Sequence, residues 1–407
     1  MDTSQVPQGS VLRHPGYLNF AASRVFSSLS FQCVAIAMGW MIYDQTHSAF
    51  ALALVGLCQF LPMVALTFVV GHVADRFDRR RIGLVCQVIE AAVSALLAVA
   101  TWQNWLTPPG ILVAVTVMGA TVAFERPTMA ALLPSIMPTS MLQRAVATST
   151  SLMQTALIVG PSLGGLLYGL DPVAPFAVAA VLFSVASINV ISIRMEWRPS
   201  KREPVTLTSV FAGVSFIKSR PVMLGTISLD LFAVLLGGAT ALLPMFARDI
   251  LHAGPWGLGL LRAAPAIGAL AMSVVLARRP LTSKVGFKML CAVAVFGLAT
   301  IVFALSTNVT LSIVALLVVG ASDTVSVVVR SSLVQLLTPD AMRGRVNAVN
   351  SLFIGTSNQL GEFESGMLAG MMGPVAAGVI GGVGTIVVVL LWAGLFPDLR
   401  KVKTLQG

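Results

Sequence analysis

The sequence predicts an all-α integral membrane protein: twelve spanning helices in two pseudo-symmetric six-helix bundles, with both ends of the chain in the cytoplasm. Three observations carry that expectation. The 407 residues are 56% hydrophobic and 10% charged, with a mean hydropathy of +0.89, whereas a soluble domain carries about 25% charged residues. Twelve apolar stretches each approach or exceed the ~20 residues that a bilayer-spanning helix needs. Lys and Arg concentrate on alternate connections between those stretches, the distribution that orients a membrane protein.

A polar tail, 1–16, comes first and contains two prolines. The first apolar run, 17–43, is too long for a signal-peptide core and no A-x-A site follows it, so it reads as a retained helix. The runs 48–73, 82–103, 109–131, 143–169 and 173–194 complete a first bundle, 17–194. The stretch 195–220 breaks the pattern with Glu196, Arg198, Lys201, Arg202, Glu203, Lys218 and Arg220, and reads as a cytoplasmic linker with a short amphipathic helix at 207–217. A second bundle, 221–396, follows with runs at 221–247, 255–278, 286–306, 309–336, 344–371 and 374–396, and the tail 397–407 returns to the cytoplasm. Pro or Gly marks many of the turns, as at Pro108-Pro109, Gly254-Pro255 and Gly373-Pro374.

The net charge of +10 would suggest a nucleic-acid partner in a soluble protein. Here it reports orientation. With the N-terminus inside, 21 of the 26 Lys and Arg fall on the cytoplasmic side and only Arg248 outside; Arg24, Arg126, Arg262 and Arg330 lie within helices. The halves also repeat. Pro138–Arg144 aligns with Pro339–Arg345 at an offset of 201, and at the same offset Gly160 matches Gly361 and Gly165 matches Gly366.

Between the second and third runs, Gly71–Arg81 holds six charges in eleven residues with the spacing G-x-x-x-D-R-x-x-R-R. That spacing closely resembles the loop between helices 2 and 3 of major facilitator superfamily (MFS) transporters. Leu57–Pro62, Ala131–Pro134, Leu336–Ala348 and Gly355–Phe363 narrow the resemblance to the branch containing bacterial enterobactin exporters and macrolide efflux proteins. It covers most of the chain. The resemblance implies an exporter working by alternating access and driven by a proton gradient, with no cofactor. It also implies that the Gly71 loop locks the cytoplasmic side when the protein is open outward. Asp75 would accept hydrogen bonds from the N-terminus of a facing helix near Asn347, where a helix dipole favours an anion. Gly71 would permit the close approach, Arg79 and Arg80 would pair with acids or lipid phosphates, and Arg76 belongs to the same gate motif. A solvated cluster that only sets topology is the other reading. Gly160-Pro161-Ser-Leu-Gly164-Gly165 resembles the helix-5 motif of MFS antiporters and argues for export over uptake.

Ionisable residues at membrane depth mark function by default, because each is costly unless paired or hydrated. The proton-coupling candidates are Asp230, Asp323, Glu364 and Glu125. The substrate-cavity candidates are Arg24, Glu90, Arg126, Arg262, Arg330 and Glu362. Each acid has an alternative reading as half of a structural ion pair; Asp323 and Arg330, seven apart, share one helix face. The four arginines would suit an anionic substrate, yet six buried acids outnumber them. Eighteen methionines suit an adaptable apolar cavity and equally suit ordinary packing.

The four cysteines sit singly in apolar runs, and the four histidines are scattered. No phosphate loop and no H-E-x-x-H occurs. No metal, cofactor or enzymatic activity is expected. The reading is a monomeric, multi-pass inner-membrane transporter exporting an amphipathic siderophore or drug, with protons and membrane lipids as its other partners and no nucleic acid. A lysophospholipid-handling protein and a small-metabolite importer remain as alternatives.

Overall fold

The computed structural model describes residues 11, 14–195 and 207–404, and omits the side chains of some helical residues, among them His72, Asp75 and Arg343. Residues 196–206 of the charged linker, which carry most of its charges, and the ends of both tails therefore lie outside the described residues.

The described chain is helical throughout. The first six long helices are α1 (Pro15–Thr46), α2 (Ala49–Arg76), α3 (Arg79–Trp102), α4 (Pro108–Ile136), α5 (Thr139–Leu170) and α6 (Ala174–Ile191). A short α7 (Leu207–Lys218) precedes α8 (Pro221–Leu236), α9 (Gly254–Arg278), α10 (Val285–Leu305), α11 (Val309–Leu337), α12 (Asp340–Met372), α13 (Pro374–Leu395) and the short α14 (Pro397–Lys401). Among the described residues, eleven helical segments are apolar and long enough to cross a bilayer. The 33-residue α12 is long enough too, but Asp340, Arg343, Arg345, Glu362 and Glu364 dilute its apolar run.

Two expectations about element ends change. The basic stretch after Gly71 is not an extended loop: α2 runs through Arg76 and α3 starts at Arg79, leaving Phe77 and Asp78 as the whole turn. Asp78 makes so short a turn workable, because its carboxylate caps α3 by accepting from the Arg80 backbone N–H at 3.0 Å. The run 221–247 is not one regular helix. It stops at Leu236 and continues through a 3₁₀ turn (Ala239–Leu242), a single α turn and a π turn (Phe246–Ile250). Gly237 and Gly238 lower the helix preference there, and Pro244 has no N–H to give the carbonyl of Thr240.

The chain divides into two compact units. Unit 1 is Met1–Met41 with Cys58–Pro204, and unit 2 is Ile42–Leu57 with Val205–Gly407. In unit 1 a buried cluster joins Tyr17 and Phe20 of α1 to Met129, Leu132 and Leu133 of α4, Ala145 of α5 and Val190. The Tyr17 hydroxyl, carried into this apolar cluster, donates to the Ala145 carbonyl at 3.0 Å. In unit 2 one cluster gathers Leu229, Ala233, Met289, Val293, Leu333 and Val388 from α8, α10, α11 and α13. A second packs Ile217 of α7 on Met223, Val334, Val346 and Val349, so the linker helix is part of this unit's core. The end of α1 is tied into the same unit: Asp44 pairs with Arg248 at 2.7 Å, and the Tyr43 hydroxyl donates to Asp249.

Candidate functional site

Each unit carries its own buried charge cluster. In unit 1 the centre is Glu125, in the middle of α4 and 7% exposed. Ser27 of α1 donates to both of its carboxylate oxygens, at 2.8 and 3.0 Å, and the Gln87 amide of α3 donates at 2.7 Å. Gln87 is held in turn by Ser23, one turn before Ser27 on the same face of α1, with contacts of 2.9 and 3.2 Å. Three side chains from two helices thus converge on one carboxylate, Ser27 and Gln87 directly and Ser23 through Gln87. Arg24 and Arg126 supply the compensating positive charge. Each guanidinium also lies over an aromatic ring: Arg24 over Phe20 and Arg126 over Phe31, both at 5.8 Å.

Glu90 sits close to this network but outside it. It is fully buried, and neither carboxylate oxygen has a hydrogen-bond partner. Thr121 stands beside it but spends its hydroxyl on the Met118 carbonyl at 2.9 Å. A buried polar group without a partner is costly, and far more so if ionised.

A cavity of about 250 Å³ opens against Glu125, lined by Arg24, Ser27, Phe31, Arg126, Met129 and Met153 among others. Its lining mixes ionic side chains with aromatic and thioether ones. The α1–α5 contact beside it depends on two glycines of the helix-5 motif. A side chain at Gly160 would meet Gln32 at 2.6 Å, and one at Gly164 would meet the backbone of Cys33 at 2.7 Å. Pro161 and Gly165 are buried in the same helix.

In unit 2, Asp230 of α8 and Arg330 of α11 form a direct ion pair in which both residues are 5% exposed. Ser326, one turn before Arg330, donates to Asp230 at 3.5 Å. Asp323 continues that stripe of α11, and its charge and that of Asp230 both act near Arg330. Asp323, Asp230, Ser322 and Ser326 share the lining of one small cavity. The i, i+7 relation of Asp323 to Arg330 therefore exists, but Arg330 is committed to the acid of another helix. Glu362 of α12 feels the charge of Arg262 on α9 and lies against α2 at Gly56. Glu364 is only part-buried and accepts from Ser365 at 3.5 Å.

The arginines of the basic motif between α2 and α3 have defined partners. Arg80 pairs with Asp78 at 2.7 Å and also donates to the Ile193 carbonyl at 2.7 Å. Arg79 donates to the Ala131 carbonyl at 2.9 Å and to the Ser135 hydroxyl at 3.2 Å. These arginines thus satisfy backbone carbonyls near the C-terminal ends of α4 and α6, where cations are favoured. Burial acts to raise the Asp78 carboxyl, but the hydrogen bonds from Arg80 and the charges of Arg80 and Arg81 outweigh it and hold it below the usual carboxylate range. Arg76 is exposed, as is Asn347 in the first turns of α12. The side chain of Asp75 and the packing around Gly71 lie outside what the structure describes.

The polar partners Ser23, Ser27, Gln87 and Ser326 were not singled out in the sequence. Their signal was present: Ser23 and Ser27 are spaced i, i+4, Gln87 precedes Glu90 by three, and Ser326 precedes Arg330 by four.

Comparisons with known proteins agree with this architecture. A family described as transmembrane secretion effectors, an MFS family, matches residues 10–406. The enterobactin exporter EntS of Citrobacter koseri is 25% identical over 395 residues, covering 96% of this chain and 94% of that protein. EntS of Shigella boydii is 25% identical over 398 residues with the same coverage. Among solved structures, a bacterial homologue of the human lysosomal transporter Spinster, in an inward-facing and occupied conformation, superposes with a TM-score of 0.73 at 15% identity, covering 96% of this chain and 97% of that one. The nucleoside transporter NupG gives 0.66 at 15% identity, covering 94% and 99%. At those identities the structural likeness speaks to the fold alone. The protein is a multi-pass membrane transporter, not an enzyme, and it belongs to the transmembrane secretion effector family of the major facilitator superfamily.

Proposed function

We propose that the protein exports an amphipathic small molecule with an anionic part, a siderophore or a drug, from the cytoplasm across the inner membrane. The exchange is with protons, by alternating access, without a cofactor and as a monomer of twelve spans with both termini inside. The observation that carries this reading is the unit 1 cavity. Arg24 and Arg126 line it together with Phe31, Met129, Met153 and Leu157. At about 250 Å³ it holds one arm of a bulky ligand rather than the whole, since complete ligand pockets run from about 300 to 1,000 Å³. The EntS relatives support a siderophore as the first substrate to test.

Proton exchange needs a carboxyl that gains and loses a proton as access changes. Glu125 is the strongest candidate in unit 1, because it borders the cavity and its partners Ser27 and Gln87 lie on two other helices. Asp230 and Asp323 serve in the same way beside Arg330 in unit 2. The test is proton movement in proteoliposomes holding a pH-sensitive dye, with enterobactin-type catecholates and macrolides added in turn. Wild type should show substrate-triggered proton flux, and Glu125→Gln should abolish it while still binding substrate. Substrate movement that ignores the proton gradient would overturn the antiport reading. Headgroup-dependent lipid movement under the same conditions would favour a lipid-handling protein instead.

A further inference from the structure

A third cavity has no part in the transport reading. It is a groove of about 800 Å³ in unit 2, formed where the start of α8 meets the end of α11 and the segment after α14. It is lined by the apolar Val222, Leu333, Leu336, Leu337 and Val402 and by the cationic Arg220, Lys401 and Lys403. No acid is among its lining residues.

The groove is a built feature. Residues 402 and 403 are fixed by backbone hydrogen bonds, from Gly286 to the Val402 carbonyl at 3.2 Å and from Val285 to the Lys403 carbonyl at 3.4 Å. Arg220 lies over the Phe216 ring at 5.8 Å, so the linker helix positions its guanidinium. The groove also stands at the start of α8, where Pro221 opens the helix and the first backbone N–H groups lack intrahelical partners.

We propose that this groove binds one anionic phospholipid of the adjoining leaflet. Arg220, Lys401 and Lys403 hold its phosphate and the charged group beyond it, and an acyl chain covers Leu336 and Leu337, which are 60% and 39% exposed. A soluble phosphate would satisfy the cations and leave that leucine surface bare; a zwitterionic lipid would cover the leucines and leave cationic charge over. Only an anionic lipid satisfies both sets of residues. The bound lipid straps the segment after α14 to α8 and α11.

The test uses the full chain in nanodiscs. A phosphatidylglycerol carrying a photoreactive diazirine in its acyl chain is irradiated, and the labelled peptides are mapped. The label should fall on the end of α11 around Leu336. Unlabelled phosphatidylglycerol should compete it away, whereas phosphatidylcholine or inorganic phosphate should not. Lys401→Gln and Lys403→Gln should each weaken retention of phosphatidylglycerol about fivefold, the equivalent of ~1 kcal/mol per surface cation, and should leave phosphatidylcholine retention unchanged. Mapping the wild type keeps the test valid if a variant folds poorly. Equal competition by phosphatidylcholine, equal protection by inorganic phosphate, or labelling spread evenly over the spanning helices would each overturn the proposal.

Discussion

Arg330 of α11 is paired with Asp230 of α8 rather than with Asp323, the acid two turns away on its own helix. The pair joins two helices, and both partners are 5% exposed. Breaking a buried ion pair from one side strands the other charge, at about 3–5 kcal/mol. Asp230→Asn and Arg330→Gln should each lower thermal stability in detergent by an amount of that order. The double variant should be more stable than the sum of the two losses predicts. Additive losses would mean that the two charges act independently.

Glu90 and Glu125 should respond to loss of charge to different degrees. Glu125→Gln puts an amide where Ser27 and Gln87 both donate, so it should cost about 1.5–3 kcal/mol, the worth of hydrogen bonds to a charged group. Glu90 accepts nothing, so Glu90→Gln should change stability by less than about 1 kcal/mol. Chemical denaturation of the two variants side by side checks this; a larger loss at Glu90 would reveal a partner that the geometry does not contain.

At Gly164 the limit is space. A Cβ there would stand 2.7 Å from the Cys33 Cα, and two backbones cannot give way as a flexible side chain can. Gly164→Ala should destabilise by about 1–3 kcal/mol, the range for forced overpacking, and Gly164→Val by more. Substrate flux should fall with it, because α1 and α5 both line the cavity. An alanine variant with full stability and flux would show that this contact opens freely.

The carboxyl of Asp78, between α2 and α3, is held below the usual carboxylate range in the folded protein. A lowered folded value means that its stabilisation is present above the unfolded value, about 3.9, and disappears as pH falls through the folded value. Thermal stability should therefore drop on acidification below about pH 4, and Asp78→Asn should remove part of that drop while lowering stability at neutral pH. An unchanged acid profile in the variant would place the titration elsewhere.

The sequence shows the helices more fully than the sites, and the reason is physical. An apolar run long enough to span a bilayer is a local property, so the long helices are legible in the sequence directly. Even the break after Leu236 has a local cause in Gly237, Gly238 and Pro244. The site depends on contacts that join distant residues. Arg330 has an acid at i−7, and nothing local indicates that a residue 100 positions earlier will claim it. Ser27 and Gln87 are ordinary neutral residues of apolar runs until folding brings both to Glu125. Glu90 and Glu125 read alike as buried acids, and only the structure separates the one that is fully hydrogen-bonded from the one with no donor.

Arg79 and Arg80 carry two duties at different moments in the protein's life. Cations flanking a span set its orientation during insertion, before any partner helix is in place. Afterwards the same guanidiniums donate to the carbonyls of Ala131 and Ile193. Biogenesis and the finished fold therefore constrain these positions independently. A lysine satisfies the first requirement through its charge but lacks the planar fork for the second, so Arg-to-Lys exchange at 79 and 80 yields correctly inserted protein with loosened helix ends, whereas neutral residues disturb both stages.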